Sequence, residues 1–411
     1  MEQTEIKPLL QRKIFGHSSA KQFNPYSQNV LRQLSFCHTA RLGLHVYQCN
    51  NCPHKHHQYH SCGNRHCPNC GGLKREQWLQ DRMSELLPTS YFHIVFTLPQ
   101  QLRSLVMGNR KLLFNLLFEA SNHTLRTLGL DEKYLGATPG IISVLHTNGQ
   151  DLTFHPHVHC IVTGGGFSKD EKWVVQKRKN GNFLFPRRAM EKIFKGYFLE
   201  KLQLLHKKGK LQVESEDYFT NIIKEVAYIK WNVYAKAPFA GPQQIIEYLG
   251  RYTHKVAIST NRITQITETS ITFRYKDYRD GNKQKLMTLS HEEFLRRFEQ
   301  HILPKRFVKI RHSGFLSHQN KNERLEKICK QLKIAIPPPK VELPVVVLAA
   351  IKYGVDIAQC SVCKTGRMQL VGSFVNISAH GVRLVNAENL PRGRASPRAM
   401  KMLDKSLLFE K

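Results

Sequence analysis

Six cysteines fall between Cys37 and Cys70, and four of them stand as Cys49-Asn50-Asn51-Cys52 and Cys67-Pro68-Asn69-Cys70, two CxxC pairs about fifteen residues apart. Each such pair makes a tight turn that offers two thiolates, and four thiolates close a tetrahedral zinc site with no open coordination position. The spacing predicts a small zinc-ribbon-like module near the N-terminus, with Cys49, Cys52, Cys67 and Cys70 around one structural zinc. Cys37, Cys62 and His66 are left over; with His45 or His60 they could form a second site and make the module binuclear. Their alternative is ordinary burial, since free cysteine is among the most buried residue types. Cys360 and Cys363 form a further CxxC with no evident partner pair.

The rest of the composition says what surrounds this module. Lys and Arg number 62 against 31 for Asp and Glu, a formal net charge of +31 spread along the whole chain, so the expected partner is a polyanion with a long footprint. A membrane surface is the weaker alternative. No window approaches 18 uninterrupted apolar residues, and the first thirty residues lack the apolar core of a signal peptide. The expectation is a cytosolic chain whose cysteines are reduced and read as metal ligands. At 411 residues, two or three domains are expected. Pro337, Pro338 and Pro339 mark a stiff linker before a basic tail around Pro391 to Arg398.

The segments IISVLHTNG and LTFHPHVHCIVTGGG predict two paired strands around Asn148-Gly149. In the second strand the period of two sets His157 and His159 on one face, Val158 and Cys160 on the other. Two imidazoles side by side can hold a divalent cation while leaving positions open for phosphate oxygens, as catalysis requires. A third ligand could be His146, His155 or Gln150; His146 is favoured because the preceding strand of the hairpin can bring it beside the pair. The competing reading is a pair of exposed strand histidines.

A helix beginning near Pro242 predicts a second cluster. At about 100 degrees per residue, Gln244, Tyr248, Arg251, Tyr252 and Lys255 share one stripe, while Ile245, Ile246, Leu249 and Val256 fall toward the other side. Two phenols and two cations on one face suit phosphoryl chemistry, because cations favour the ionised phenol and stabilise added negative charge. The plain alternative is an amphipathic helix whose tyrosines cap the core edge. Gly250 costs about 1 kcal/mol of helix propensity against Ala, which points to close packing or close approach of a DNA strand. Further along, ITFRYKDYRDGNKQKLMTLS predicts a hairpin turned at Asp280-Gly281, followed by a helix capped by Ser290.

VFTLP (Val95 to Pro99), HPHVH (His155 to His159) and EYLGRYTHKVAIS (Glu247 to Ser259) together resemble the transposases of the insertion-sequence-ninety-one family, rolling-circle enzymes of the two-tyrosine HUH type. CGNRHCPNC is similar to the zinc-binding domain at the front of those enzymes, and IRHSGFLSHQNK (Ile310 to Lys321) to their downstream segment. The resemblance implies an α+β fold, a central antiparallel sheet with flanking helices of the HUH endonuclease type, preceded by the small zinc module. The corresponding segments are a zinc-binding module with flanking helices over residues 1–88, a catalytic domain over 89–335 and a Pro-linked basic segment over 336–411. It implies His157 and His159 as metal ligands, Tyr248 and Tyr252 as nucleophiles, and Mg²⁺ or Mn²⁺ as the catalytic ion beside structural Zn²⁺. The implied partner is DNA, single-stranded element ends with flanking duplex, on the nucleoid of a bacterial cell. No GxxxxGK[ST] run is present, in line with strand transfer that needs no nucleotide cofactor. Three rivals follow from the same residues: a plasmid relaxase or replication initiator, a non-catalytic zinc DNA-binding regulator, and a metallohydrolase using HPHVH as a zinc site.

Overall fold

The computed structural model describes residues 3–83, 85–176, 183–239, 244–245, 250, 257–278, 280–336, 341–376 and 382–385. Its strands are β1 (Leu44–Cys49), β2 (Lys55–Tyr59), β3 (Tyr91–Thr97), β4 (Thr138–Asn148), β5 (Phe154–Phe167), β6 (Trp173–Val175), β7 (Asn232–Lys236), β8 (Ile263–Ile266), β9 (Ser270–Asp277), β10 (Lys283–Ser290), β11 (Ile310–Ser313), β12 (Met368–Asn376) and β13 (Val382–Val385). The α+β expectation holds. The central sheet runs β11-β4-β5-β3-β7, with β6 added on β5, and every pairing in it is antiparallel.

Alternation along these strands explains the layers. Phe154, Val158, Cys160 and Val162 of β5 join Ile141 and Leu145 of β4 and Phe92, Ile94 and Phe96 of β3 in one core, covered by the helices Arg110–Leu130, Arg187–Lys207 and Glu216–Tyr228. The first helix contributes Leu113, Leu117, Ala120 and Leu128 at spacings of three, four and eight, the period that keeps one face toward the sheet. Ser215 caps the last by accepting from Tyr218 N–H at 3.0 Å, with Glu216 and Asp217 in the first turn where the helix dipole favours acids. Phe92, Phe96, Phe114, Phe194 and Phe198 are all below 2% exposed, and each contributes about 1.5–3 kcal/mol by leaving water.

The opposite face of the sheet carries a second cluster. Tyr91, Ile142 and Ile161 meet Leu79 of the helix Gly72–Met83, Leu325 and Ile328 of the helix Lys321–Leu332, and Ile245. The sheet β10-β9-β8 contains the predicted β9–β10 hairpin, and Ser290 caps the following helix by accepting from Glu293 N–H at 3.2 Å. Against this sheet lie Ile6, Leu10, Ile14, Val30, Leu31 and Leu34. The polar-looking N-terminal segment is therefore a buried prop, because its apolar residues are sparse but recur on one side.

The remaining sheet runs β13-β12-β1-β2. It joins the two ends of the chain, with Cys49 of β1 opposite Met368 of β12. Among the described residues no helix is long and apolar enough to cross a membrane. The Pro337 to Pro339 linker and the Pro391 to Arg398 tail lie outside the described residues.

Candidate active site and cysteine centres

The β4–β5 ladder sets His146 directly opposite His157, and the β3–β5 ladder sets Val95 opposite His159. With Val158 and Cys160 committed to the core, His157 and His159 emerge on the other face together with His146. One ring nitrogen from each of the three lies within 4.8 Å of the other two. His146 and His159 are each 8% exposed, so the site sits at the bottom of the face rather than on a rim. The sequence-preferred third residue is thus brought to the pair. His155 lies beside His157, with ring centroids 5.2 Å apart, but outside the three-histidine group. Gln150 is on the β4–β5 loop, where its amide donates to Tyr278 Oη at 3.4 Å.

Hydrogen bonding selects the ring nitrogens that face the site. His157 Nδ1 lies 2.6 Å from the carbonyl oxygen of His155; an oxygen can only accept, so Nδ1 holds the proton and Nε2 presents its lone pair. His159 Nδ1 is bonded to His93 Nε2 at 2.9 Å, the two rings lying within 6° of parallel. Burial, with the charge of His155 adding to it, holds His157 down to about 4. Burial also keeps His159 well below the usual imidazole range, assisted by His146 and His157. A neutral imidazole is the form that binds a divalent ion, and burial favours it at His157 and His159.

His93 is a residue that sequence reasoning passed over. Its signal was present: in Tyr91 to Thr97 the period of two puts His93 on the face of His157 and His159, opposite Ile161. Lys309 was passed over too. It is half-buried near Arg65, and desolvation, then that charge, pulls it down to about 7.

Tyr248, Arg251, Tyr252 and Lys255 lie outside the described residues. Three residues of their segment are described, and the first, Gln244, is exposed. Ile245 is 2% exposed and packs with Ile142, Ile161 and Leu79 on the histidine side of the sheet. A Cβ on Gly250 would stand 3.1 Å from Leu79 Cδ1, so this glycine serves close packing on the helix Gly72–Met83.

The cysteines correct the sequence-based grouping. Cys49-Cys52 and Cys67-Cys70 do not share a site. Cys67 and Cys70 join Cys37 and Cys62, while Cys49 and Cys52 join Cys360 and Cys363. In the first set Cys37 and Cys67 sulfurs are 3.6 Å apart, Cys62 and Cys70 3.7 Å and Cys37 and Cys70 3.1 Å, and Cys62 N–H donates to Cys37 Sγ at 3.4 Å. In the second, Cys49 and Cys363 are 3.7 Å apart, as are Cys52 and Cys360. A zinc–sulfur bond of about 2.3 Å in a tetrahedron demands a sulfur–sulfur edge of about 3.8 Å. The donor sets therefore fit zinc. His66 is not a ligand of either: its Nε2 accepts from Leu303 N–H at 3.0 Å. The rings of His45 and His60 lie 4.3 Å apart, tilted by 58°, and belong to neither set.

Of the surface donors near this module, Lys55, His56 and His57 are exposed along β2. Arg65 is turned to backbone carbonyls of Pro304, at 3.1 Å, and Phe307, tying the module to the segment ahead of β11.

Two family models match the chain: one described as "Putative transposase" over residues 140–324, the other as "Transposase zinc-binding domain" over residues 9–98. A protein of Sinorhizobium fredii named "Putative transposase y4qJ" is 41% identical over 362 residues, 85% of this chain and 90% of that protein. The chain belongs to the insertion-sequence-ninety-one family of transposases. Another relative, the transposase for insertion sequence element IS801 of Pseudomonas savastanoi pv. phaseolicola, is 30% identical over 376 residues, 89% of this chain and 88% of that protein. No solved structure matches. In this transposase the match at 140–324 spans the three histidines and both tyrosines, whereas the zinc-domain match at 9–98 holds six cysteines and stops far short of Cys360.

Proposed function

We propose that this transposase nicks and transfers single DNA strands at its element's ends through phosphotyrosine intermediates, in rolling-circle fashion. The observation that carries the reading is the cluster of His146, His157 and His159 on the same sheet face against which Ile245, just ahead of Tyr248 and Tyr252, is buried. A divalent ion held by these imidazoles would draw charge from the scissile phosphate. Three nitrogen donors suit Mn²⁺ better than Mg²⁺, which prefers oxygen. The phenol oxygen of Tyr248 or Tyr252 attacks phosphorus, the bond to the 3′ oxygen breaks, and the phenolic proton ends on that oxygen. The products are a 5′ phosphotyrosine and a free 3′ hydroxyl, so the bond energy is kept and no nucleotide cofactor is needed. Arg251 and Lys255 stabilise the added charge. The second tyrosine accepts a second strand before the first is resolved. The formal charge of +31 supports binding along element DNA on the bacterial nucleoid.

The test is covalent capture. Wild type, Tyr248→Phe, Tyr252→Phe and the double variant are incubated with labelled single-stranded terminus DNA and Mn²⁺, and adducts are resolved on denaturing gels and mapped by peptide mass spectrometry. Each single variant is expected to retain some adduct but to lose complete transposition, and the double variant to retain none. Adduct surviving in the double variant would sink the assignment.

A further inference from the structure

We propose that Cys49, Cys52, Cys360 and Cys363 hold a second structural zinc, in a centre shared by the two ends of the chain and independent of the one formed by Cys37, Cys62, Cys67 and Cys70. The inference does not rest on the strand-transfer reading. The zinc-domain match ends at residue 98, so it covers half of this ligand set and leaves the other half unassigned.

Cys49 and Cys363 are 314 positions apart in the chain, yet their sulfurs stand at 3.7 Å, the edge of a zinc tetrathiolate. Two knuckles face each other to achieve this. In the first, Asn51 N–H donates to Cys49 Sγ at 3.3 Å; in the second, Gly366 N–H donates to Cys363 Sγ at 3.2 Å. Backbone donors of this kind stabilise thiolates over thiols. The knuckles are laced together as well. Asn50 Oδ1 accepts from Arg367 N–H at 2.8 Å, Asn50 N–H donates to the Arg367 carbonyl at 3.1 Å, and Asn51 Nδ2 donates to Thr365 Oγ1 at 2.9 Å. Behind them β1 and β12 continue as paired strands.

The fit leaves no room for variation at one backbone position. A Cβ on Gly366 would overlap Cys49 Sγ and come within 2.7 Å of Asn51 Cβ, so the second knuckle can close on the first only with glycine there. The apolar support is slight. The buried cluster around the site consists of Cys49, Cys360 and Met368, with Tyr47, Cys52 and Cys363 packed on it. With so little apolar burial behind the β1–β12 ladder, four metal–thiolate bonds would add a large share of its stability. All ten cysteines are then accounted for, since the two outside the four-sulfur sets, Cys160 and Cys329, are buried in the sheet and helix cores.

Zinc is counted by plasma mass spectrometry in full-length protein carrying His157→Ala and His159→Ala, so that the three-histidine centre adds nothing to the count. This parent is expected to carry two ions per chain and its Cys360→Ser/Cys363→Ser variant one. A single ion in the parent, or two in the Cys360→Ser/Cys363→Ser variant, overturns the proposal. Because unfolding of the Cys360→Ser/Cys363→Ser variant would cost more than one centre, Cys363→His is measured alongside with Co²⁺ in place of zinc. Histidine keeps a ligand, so this variant should retain two cobalt ions while half the visible absorption shifts from a four-sulfur to a three-sulfur, one-nitrogen signature. An unchanged spectrum overturns the proposal. Gly366→Ala should weaken binding of one ion by at least tenfold and leave the other as it was; equal binding of both ions overturns the assignment of Gly366 to the knuckle.

Discussion

The histidine centre and the cysteine centre shared by β1 and the Cys360–Cys363 knuckle are held in place by opposite means. His146 and His157 face each other across one antiparallel ladder, and the far side of that ladder is the largest buried core of the chain. The sheet would keep these imidazoles converged with no ion present. The shared cysteine centre draws on knuckles from the two ends of the chain and has only a small buried cluster behind it. On the proposed reading, one centre is preorganised by packing and would leave coordination positions open for a substrate; the other would close all four positions and use the metal as part of the fold. The lesson is that ligand number and the apolar volume behind a site together tell a catalytic centre from a structural one.

Metal removal tests this contrast where the expected effect is largest. Structural zinc contributes on the order of 10 kcal/mol in small domains. Chelation should therefore abolish amide-exchange protection in β1, β2 and β12 while β3, β4 and β5 stay protected. Equal loss in both sets would mean that the central sheet also depends on zinc.

A smaller but cleaner break comes from the histidines. His157→Ala and His159→Ala should each remove strand cleavage at any metal concentration, yet leave the melting temperature within a few degrees and DNA affinity within a few-fold. On the proposed reading these two ligands would serve the chemistry, whereas cations along the whole chain would serve binding. Gel shift, thermal melting and cleavage on one preparation check this. Parallel loss of binding and cleavage would make the histidines structural.

The mildest change is His93→Ala. His93 touches His159 at Nδ1 and is a positioning residue, so its loss should weaken metal binding by about 10–100-fold. Raising Mn²⁺ should restore cleavage in this variant but not in His159→Ala. A His93→Ala enzyme with an unchanged Mn²⁺ titration would show that the contact orients nothing.

Much of the histidine centre was legible in the chain itself. Its ligands lie on neighbouring strands, and strand alternation with a short connection brings His146 to His157; the loop closes where Gly149 N–H donates to the Thr153 carbonyl at 2.9 Å. The Ser290 cap and the β9–β10 hairpin were legible for the same reason, being local. The N-terminal prop was not, because Ile6, Leu10 and Ile14 acquire their meaning only from Phe294 and Phe298, almost three hundred residues away.

What the amino-acid order alone determined, then, was the inventory: which thiols come in pairs, which imidazoles share a strand face, and which cations surround them. Which pairs meet was decided by the tertiary structure. A CxxC turn specifies two ligands and is indifferent to the source of the other two. Loop-closure entropy favours the nearest pair, but its cost rises only with the logarithm of loop length. The β1–β12 ladder and the lacing of Asn50 and Asn51 to Thr365 and Arg367 bring the distant pair to Cys49 and Cys52, and the nearer pair, Cys67 and Cys70, goes to Cys37 and Cys62.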